Sequence, residues 1–191
     1  MSDEYTDEYR YFVYETFKRI AGNNPAHQFL FISDKRDNQL VIEGANVKQI
    51  VTGPPARSPF LWKFWFDVKV PAILRKYKAD VFISCDGVCS LSTNVPQCLV
   101  LHNLSFLEQT SFLQKAHLRF YKKNTSKYLD KAKSIVVISA FVKKAISTHY
   151  KKAASEIDIV FSGVNEIVQP IGNEEKDVIK NKYTDGKEFF L

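Results

Sequence analysis

The sequence predicts an α/β protein with a doubly wound, mostly parallel sheet and helices on both faces. Three short apolar stretches that each end on polar residues favour this fold; they are residues 97–103, 134–139 and 157–165. Apolar runs without alternation are typical of strands that are covered on both faces, as in a parallel sheet. Helical patterns alternate with the predicted strands, which indicates βαβ units.

The first third of the chain begins with a helical pattern and continues with two strands. Between Tyr9 and Ile20 apolar residues recur at steps of three and four, which builds one apolar helix face. Gly22 and Pro25 lie where this helix should end. The strands are expected at residues 29–32 and 47–51.

An aromatic helix should follow. Ser58 before Pro59 is typical of a helix start, because serine caps free N–H groups and proline suits the first turn. We expect Pro71 to kink or interrupt this helix. The aromatic run at 62–66 predicts a core helix packed on the sheet; the alternative is an exposed patch, flanked by lysines, that enters a membrane interface.

Strands and helices alternate through the rest of the chain, with a turn at Asp86–Gly87 and a loop at 88–96. The expected strands lie at 80–84, 97–101, 135–138 and 157–161, with a last one beginning at 189. The expected helices lie at 113–132, after Ser139 and at 173–183. The long helix should bury one face, whose candidate positions are Leu113, Ala116, Phe120, Tyr121, Tyr128 and Leu129.

Polar residues follow several strands at the edge where parallel sheets bind ligands. His102, Ser139 and Asn165 should lie along this edge. A neutral imidazole can accept or donate a hydrogen bond, and we expect that of His102 to face a shared groove. A ring buried among apolar neighbours, or an antiparallel strand, would count against this interpretation.

Structural explanations compete with functional ones at the other strand ends. Ser139 is suited to cap the next helix, whose N-terminus also offers N–H groups to an anion. Asp86 either caps a turn or binds a hydroxyl group. Gly163 suits a tight turn after its strand.

Charge is distributed unevenly along the chain. Residues 111–152 hold eleven Lys or Arg and one acid, which gives +10, whereas residues 156–191 hold eight acids and four bases, which gives −4. The basic stretch is consistent with contact to phosphates, nucleic acid or an anionic membrane, or with a solvated helix face. No apolar run approaches the roughly 20 residues that span a bilayer.

Several common kinds of site are excluded because the sequence lacks their motifs. Neither glycine-rich phosphate-binding loop occurs, and the four histidines are too scattered to form a metal set. Cys85, Cys89 and Cys98 are an odd set without a second pair, so we expect reduced, partly buried thiols in a cytosolic protein.

Four motifs, in register, resemble the group 1 (family 4-like) retaining glycosyltransferases. Residues 100–104 (VLHNL) resemble V-x-x-H-D-L, residues 137–144 (VISAFVKK) resemble V-S-E-F-S-K-x-x-I, residues 160–165 (VFSGVN) resemble V-x-N-G-V-D, and residues 168–170 (VQP) resemble F-x-P. Asn103 stands where the family has Asp, Ser162 where it has Asn, and Asn165 where it has Asp.

The resemblance implies the N-terminal, acceptor-side domain of a GT-B fold, in which two Rossmann-like domains face each other. Residues 1–170 would form this domain, and residues 171–191 a linker and the first strand of a truncated second domain. The family's first strand is not recognised ahead of the first helix. The family's nucleotide-binding residues and paired glutamates belong to the second domain.

The activity implied is transfer of a sugar from a nucleotide-sugar donor to an acceptor hydroxyl, with retention. His102 is the candidate catalytic residue; the candidate substrate-binding residues are Asp86, Asn103, Ser139, Gly163 and Asn165. No cofactor or metal is expected. The expected partners are the nucleotide sugar, an acceptor glycan or lipid and the missing C-terminal domain, in a cytoplasmic protein with optional peripheral contact at the inner membrane face.

Two other classes of function stay open at this point. One is a non-catalytic, Rossmann-like interaction module. The other is a basic binder of nucleic acid or membrane surfaces, although no nucleic-acid partner is expected, because aromatics in the basic stretch sit at helix-core spacing and no binding motif occurs.

Overall fold

Every strand pairing in the described part of the chain is parallel. The computed structural model describes residues 7–35, 41–108, 114–163 and 170–189. The strands are β1 Phe29–Ser33, β2 Val47–Val51, β3 Phe82–Ser84, β4 Gln97–Leu101, β5 Ser134–Val137 and β6 Ile157–Ile159. The helices are α1 Asp7–Asn23, α2 Pro59–Phe64, α3 Val70–Lys76, α4 Ser105–Glu108, α5 Lys115–Lys131, α6 Ala140–Tyr150 and α7 Asn173–Thr184.

The strands form two hydrogen-bonded sheets. One pairs β1 with β2, and the other has the order β3-β4-β5-β6. Helices flank the strands, so the predicted α/β class with parallel strands is confirmed. Among the described residues no pairing joins β1 to β3, so the two sheets are separate in their hydrogen bonding.

The central strands of the larger sheet are buried as their apolar sequences predict. Leu99 of β4 and Val137 of β5 are fully buried, and both belong to the main hydrophobic cluster. Helices on either side contribute Leu74, Leu129 and Ile146 to the same cluster. This double covering explains why β4 and β5 show no polar alternation.

The first helix contacts both sheets. The Phe17 ring packs edge-on against Phe31 of β1, with 6.1 Å between ring centroids. Farther towards its N-terminus, α1 places Tyr9 and Phe12 against the residue that follows β4. Helix α1 therefore fixes the smaller sheet relative to one end of the larger one.

The aromatic segment is mainly core, as predicted. Trp62, Trp65 and Phe66 are each less than 8% exposed. The Trp62 ring packs against Phe120 of α5, with centroids 5.5 Å apart. Phe60, by contrast, is 79% exposed on the outer face of α2.

The helix is interrupted just before Pro71. A π turn at Trp65–Lys69 joins α2 to α3, and the Val70 N–H donates to the Trp65 carbonyl five residues back. Proline has no N–H and its ring crowds the preceding turn, so the helical hydrogen-bond pattern widens to a π turn just before it. The predicted interruption is confirmed.

Some details of the structure differ from the prediction, and some predicted residues lie outside the described part of the chain. Ala116 is exposed, because α5 begins at Lys115 and turns this position to solvent. Leu113 lies outside the described residues. The short helix α4 is a feature that the sequence did not predict, and Phe189 is not in a strand. Residues 190–191 also lie outside the described residues.

Candidate functional site

The candidate residues meet at the edge formed by the carboxyl ends of β3 to β6, which we call the carboxyl edge. Asp86 lies two residues after β3, His102 directly after β4, and Ser139 two residues after β5. Because the four strands are parallel, these positions share one edge of the sheet. Asn165 lies outside the described residues.

The His102 ring is half-buried between two aromatic rings of α1. The imidazole centroid lies 4.7 Å from that of Tyr9 and 5.0 Å from that of Phe12, both in edge-on geometry. The ring's Nε2 atom is buried and has no hydrogen-bond partner among the described residues. The expectation of a ring that faces an open groove is therefore wrong, because the long-range packing of α1 covers it.

Burial also sets the charge of this histidine. Desolvation lowers the pKa of His102 from 6.5 to about 4, so the ring is neutral at pH 7. A neutral imidazole keeps one donor and one acceptor nitrogen. The buried Nε2 is thus suited to a single hydrogen bond with a ligand group.

Asp86, which follows the neighbouring strand β3, is held by the same helix as His102. The Tyr9 hydroxyl donates to Asp86 Oδ1 at 3.0 Å. Gly87 follows with a φ of 67°, a left-handed conformation that favours glycine, so the predicted turn is confirmed. Asp86 accordingly serves in a turn and also accepts a hydrogen bond from a hydroxyl group.

Ser139 and Asn103 both start helices. Ser139 Oγ accepts from the Val142 N–H at 3.2 Å, which confirms the predicted cap of α6. Asn103 Oδ1 accepts from the N–H and the hydroxyl of Ser105, at 3.2 and 2.9 Å. Asn103 therefore stabilises the start of α4 next to His102, a local role that asparagine performs often.

Gly163 does not adopt the conformation of a tight turn that requires glycine. Its φ lies outside the left-handed region, and a Cβ at this position would meet no atom within 4 Å. Residues 164–169, which include the rest of this motif, lie outside the described residues.

A cleft beside Asp86 is lined by residues that follow strands of both sheets. It is lined by Asp34, Ala56, Trp62, Trp65, Phe66, Asp86, Val88 and Tyr121, and its cavity volume is about 10 Å³. Asp34 follows β1, so the carboxyl ends of β1 and β3 reach the same cleft. The walls are mainly aromatic, and two carboxylates supply the acidic groups.

Hydrogen bonds fix several of the side chains that line this cleft. The Trp65 indole N–H donates to the Thr52 carbonyl at 3.0 Å, and the Trp62 indole N–H donates to the Ala56 carbonyl. Asp34 Oδ2 accepts from the Ala56 N–H at 2.8 Å. These bonds hold the largely apolar walls in place around the two carboxylates.

Part of the basic stretch forms the outer face of α5, whereas Lys143, Lys144, Lys151 and Lys152 lie in α6 or directly after it. The exposed cations of α5 are Lys115, Arg119, Lys122, Lys123 and Lys127. Phe120, Tyr128 and Leu129 are buried on the opposite face. This separation is typical of a solvated helix face, which was one of the two explanations of the charge.

The described residues include three free thiols, and they form neither a metal cluster nor a membrane-spanning helix. Cys85, Cys89 and Cys98 are free thiols, as expected, and Cys89 is fully buried. Within the described ranges, no group of three or more His, Cys, Asp and Glu is arranged to hold a metal ion. No described helix has both the length and the apolar composition needed to cross a membrane.

Sequence reasoning missed three residues of this region. Tyr9 and Phe12 were recognised only as part of an apolar helix face, and nothing local indicates that this face meets residue 102. Asp34 has the same sequence signal as Asp86 and His102, since it is a polar residue that follows a predicted strand.

Comparisons with known proteins identify the family of this chain. A crystal structure of a glycosyltransferase from Rickettsia africae ESF-5 is similar at a TM-score of 0.47 and 17% identity. The match covers 94% of this chain and 46% of that one, so this chain spans less than half of the length of that protein. A search of the curated proteins gives no match. The family model described as Glycosyltransferase Family 4 matches residues 12–166, and the chain therefore belongs to this family.

Proposed function

We propose that this chain is the acceptor-binding part of a glycosyltransferase that moves a sugar from a nucleotide-sugar donor to an acceptor hydroxyl with retention. The family supports sugar transfer, and the motif resemblance supports retention. The observation that carries the acceptor role is the pairing of Asp86 and His102 at adjacent strand ends, beside an aromatic cleft. Such a reaction depends on close placement of the acceptor hydroxyl.

The roles follow from the chemistry of these side chains. A carboxylate accepts hydrogen bonds from hydroxyl groups, as Asp86 already does from Tyr9. Tyr121, which is half-buried in the wall of the cleft, offers apolar surface to a sugar ring. His102 supplies a hydrogen bond at Nε2 rather than taking up a proton, because a pKa of about 4 makes its imidazole a weak base at pH 7.

In this proposal the second domain binds the donor and stabilises the leaving diphosphate. It would pack against the carboxyl edge, where Phe141 and Phe161 are 68% and 69% exposed. The free thiols support a cytoplasmic location. The division at residue 170 and the linker role of residues 171–191 remain proposals; α7 in that segment has no buried residue.

The acceptor role is tested by calorimetric titration of the 191-residue chain with a panel of glycans and glycolipids in detergent. Asp86→Asn and His102→Ala should each weaken binding about tenfold, since each loses a hydrogen bond to the ligand. Asp80→Asn is the matched control, because Asp80 is exposed at the other end of β3. Equal affinities for Asp86→Asn and Asp80→Asn would contradict the assignment.

We further propose that the chain by itself has little or no transferase activity. The groups that stabilise the diphosphate belong to the second domain. Product formation from nucleotide-sugar donors should therefore stay at background in a radiolabel assay. Turnover at the rate of an intact transferase would refute this proposal.

A second candidate function is peripheral binding to an anionic membrane, and the exposure of Phe60 favours it. This ring projects from α2 next to the exposed Lys63, and Lys69 lies 5.8 Å from the Phe64 ring. Exposed aromatics among lysines are suited to a negatively charged lipid surface. Flotation with anionic liposomes at low salt should retain the chain and lose Phe60→Ser; equal flotation of the two would contradict it.

A further inference from the structure

One tyrosine contacts both candidate residues at the carboxyl edge. Tyr9 is only 8% exposed. Its hydroxyl donates to Asp86 Oδ1 at 3.0 Å, and its ring centroid lies 4.7 Å from that of His102. The residues that it joins follow different strands, β3 and β4, and lie 16 positions apart in sequence.

Phe12 completes this contact from the same helix face. It is three residues after Tyr9, so the two side chains point in the same direction from α1. Its ring centroid lies 5.0 Å from that of His102, at an angle of 86°. The imidazole is therefore held between two rings that approach it edge-on.

The contact affects the two residues in different ways. The hydroxyl of Tyr9 gives Asp86 a directed hydrogen bond, which fixes the carboxylate orientation. The rings of Tyr9 and Phe12 exclude water from His102, and Nε2 is left without a partner in the described part of the chain. A buried polar atom without a partner is unusual in a folded protein.

We infer that Tyr9 is a positioning residue of the site: its hydroxyl orients the Asp86 carboxylate while its ring, together with Phe12, fixes the His102 imidazole. The use of this arrangement in acceptor binding rests on the proposed function, whereas the coupling of the two side chains through Tyr9 does not. Among the described residues, the titratable groups next to the imidazole are the Tyr9 phenol and the Asp86 carboxyl that accepts its hydrogen bond.

The two effects of Tyr9 are separated by substitution. Tyr9→Phe removes the hydroxyl and keeps the ring, whereas Tyr9→Leu removes both. Phe12→Leu removes only the second ring. Tyr14→Phe is the matched control, because Tyr14 lies on the same helix and contacts Lys18 rather than the site.

Nuclear magnetic resonance supplies a measurement that loss of stability alone would not change. The His102 imidazole nitrogens and the Asp86 carboxyl carbon are followed against pH, with the exposed His149 as internal reference. Tyr9→Phe should shift the Asp86 carboxyl resonance and leave the His102 midpoint in place. Tyr9→Leu and Phe12→Leu should raise the His102 midpoint by about one pH unit or more, since they admit water. Tyr14→Phe should change neither.

The inference is overturned if Phe12→Leu and Tyr9→Leu keep the wild-type His102 midpoint, or if Tyr9→Phe leaves Asp86 unchanged. Should Tyr9→Leu fail to fold, Phe12→Leu and Tyr9→Phe still decide the two halves of the claim. A parallel acceptor titration separates the positioning role of Tyr9 from the proposed acceptor-binding function. If His102 and Asp86 respond as expected while no acceptor binds the wild-type chain, positioning by Tyr9 stands and the proposed function fails.

Discussion

At the scale of single residues, the environment of His102 determines what this histidine can do. Burial against Tyr9 and Phe12 lowers its pKa from 6.5 to about 4. The ring is therefore a hydrogen-bonding group at neutral pH and not a cation. The position of His102 after β4 could be predicted from the sequence, because apolar runs indicate strands. Its cover could not, because it depends on a helix that lies about 90 residues earlier in the chain.

This burial predicts a pH dependence of stability. The unfolded chain binds a proton on His102 near pH 6.5, whereas the folded chain does so only near pH 4. The stabilisation that the neutral, buried His102 ring gives the folded chain is therefore fully present above pH 6.5. It is lost as the pH falls towards 4. Because the ring is partly exposed, we expect a loss of about 1–2 kcal/mol, less than the full conversion of the pKa change.

Urea unfolding of the wild type and His102→Phe at several pH values measures this contribution. The free energy of unfolding of the wild type should fall more steeply between pH 6.5 and pH 4 than that of the variant. Parallel curves for the two proteins would show that His102 does not contribute in this range.

The thiols give a second prediction at this scale. Burial and the nearby Asp86 raise the pKa of Cys85, and burial raises the pKa of Cys89 to about 12. The thiolate is the reactive form, so native thiols should react with Ellman's reagent at pH 7.5 far more slowly than glutathione does. All three should react rapidly in guanidinium chloride. A native thiol as fast as glutathione would contradict this expectation.

At the scale of elements, local signals predicted most helices and strands. Ser58 and Ser139 cap α2 and α6, with Oγ to N distances of 3.4 and 3.2 Å. Helix α4 was missed because four residues carry no periodicity, and the Asn103 cap was the sole local signal. The separation of β1 and β2 from the larger sheet is a long-range property that no local pattern encodes.

The α6 cap can be tested directly. Ser139→Ala should lower the free energy of unfolding by about 1 kcal/mol, because the Val142 N–H loses its partner. Ser139→Asp should retain most of the stability. Ser126→Ala is the control, since Ser126 is exposed within α5 and alanine is favoured inside a helix. Equal losses for both alanine variants in urea unfolding would argue against the cap.

At the scale of the whole molecule, the parallel arrangement brings the candidate residues to one edge. Asp34 and Asp86 reach a common cleft although they follow strands of different sheets. The sequence motifs that carry the family resemblance include His102 and Ser139, which lie at this edge. What the sequence did not predict is that α1 covers part of this edge.

The exposed aromatics of this edge predict self-association. Phe141 and Phe161 are more than two-thirds exposed, and both lie beyond strand ends. Light scattering should give a mass that rises above 22.0 kDa with concentration. The pair Phe141→Ser and Phe161→Ser should stay monomeric, while Phe60→Ser, on another surface, should behave as the wild type does. A concentration-independent wild-type mass would contradict the prediction.

Backbone amide chemical shifts, recorded while a glycan or glycolipid acceptor is added, test the central claim most directly. The account predicts that the largest changes cluster at the carboxyl edge, at Asp86, Gly87, His102 and Asn103. It would be contradicted if the whole acceptor panel produced no changes there, or if the changes were confined to the lysine face of α5.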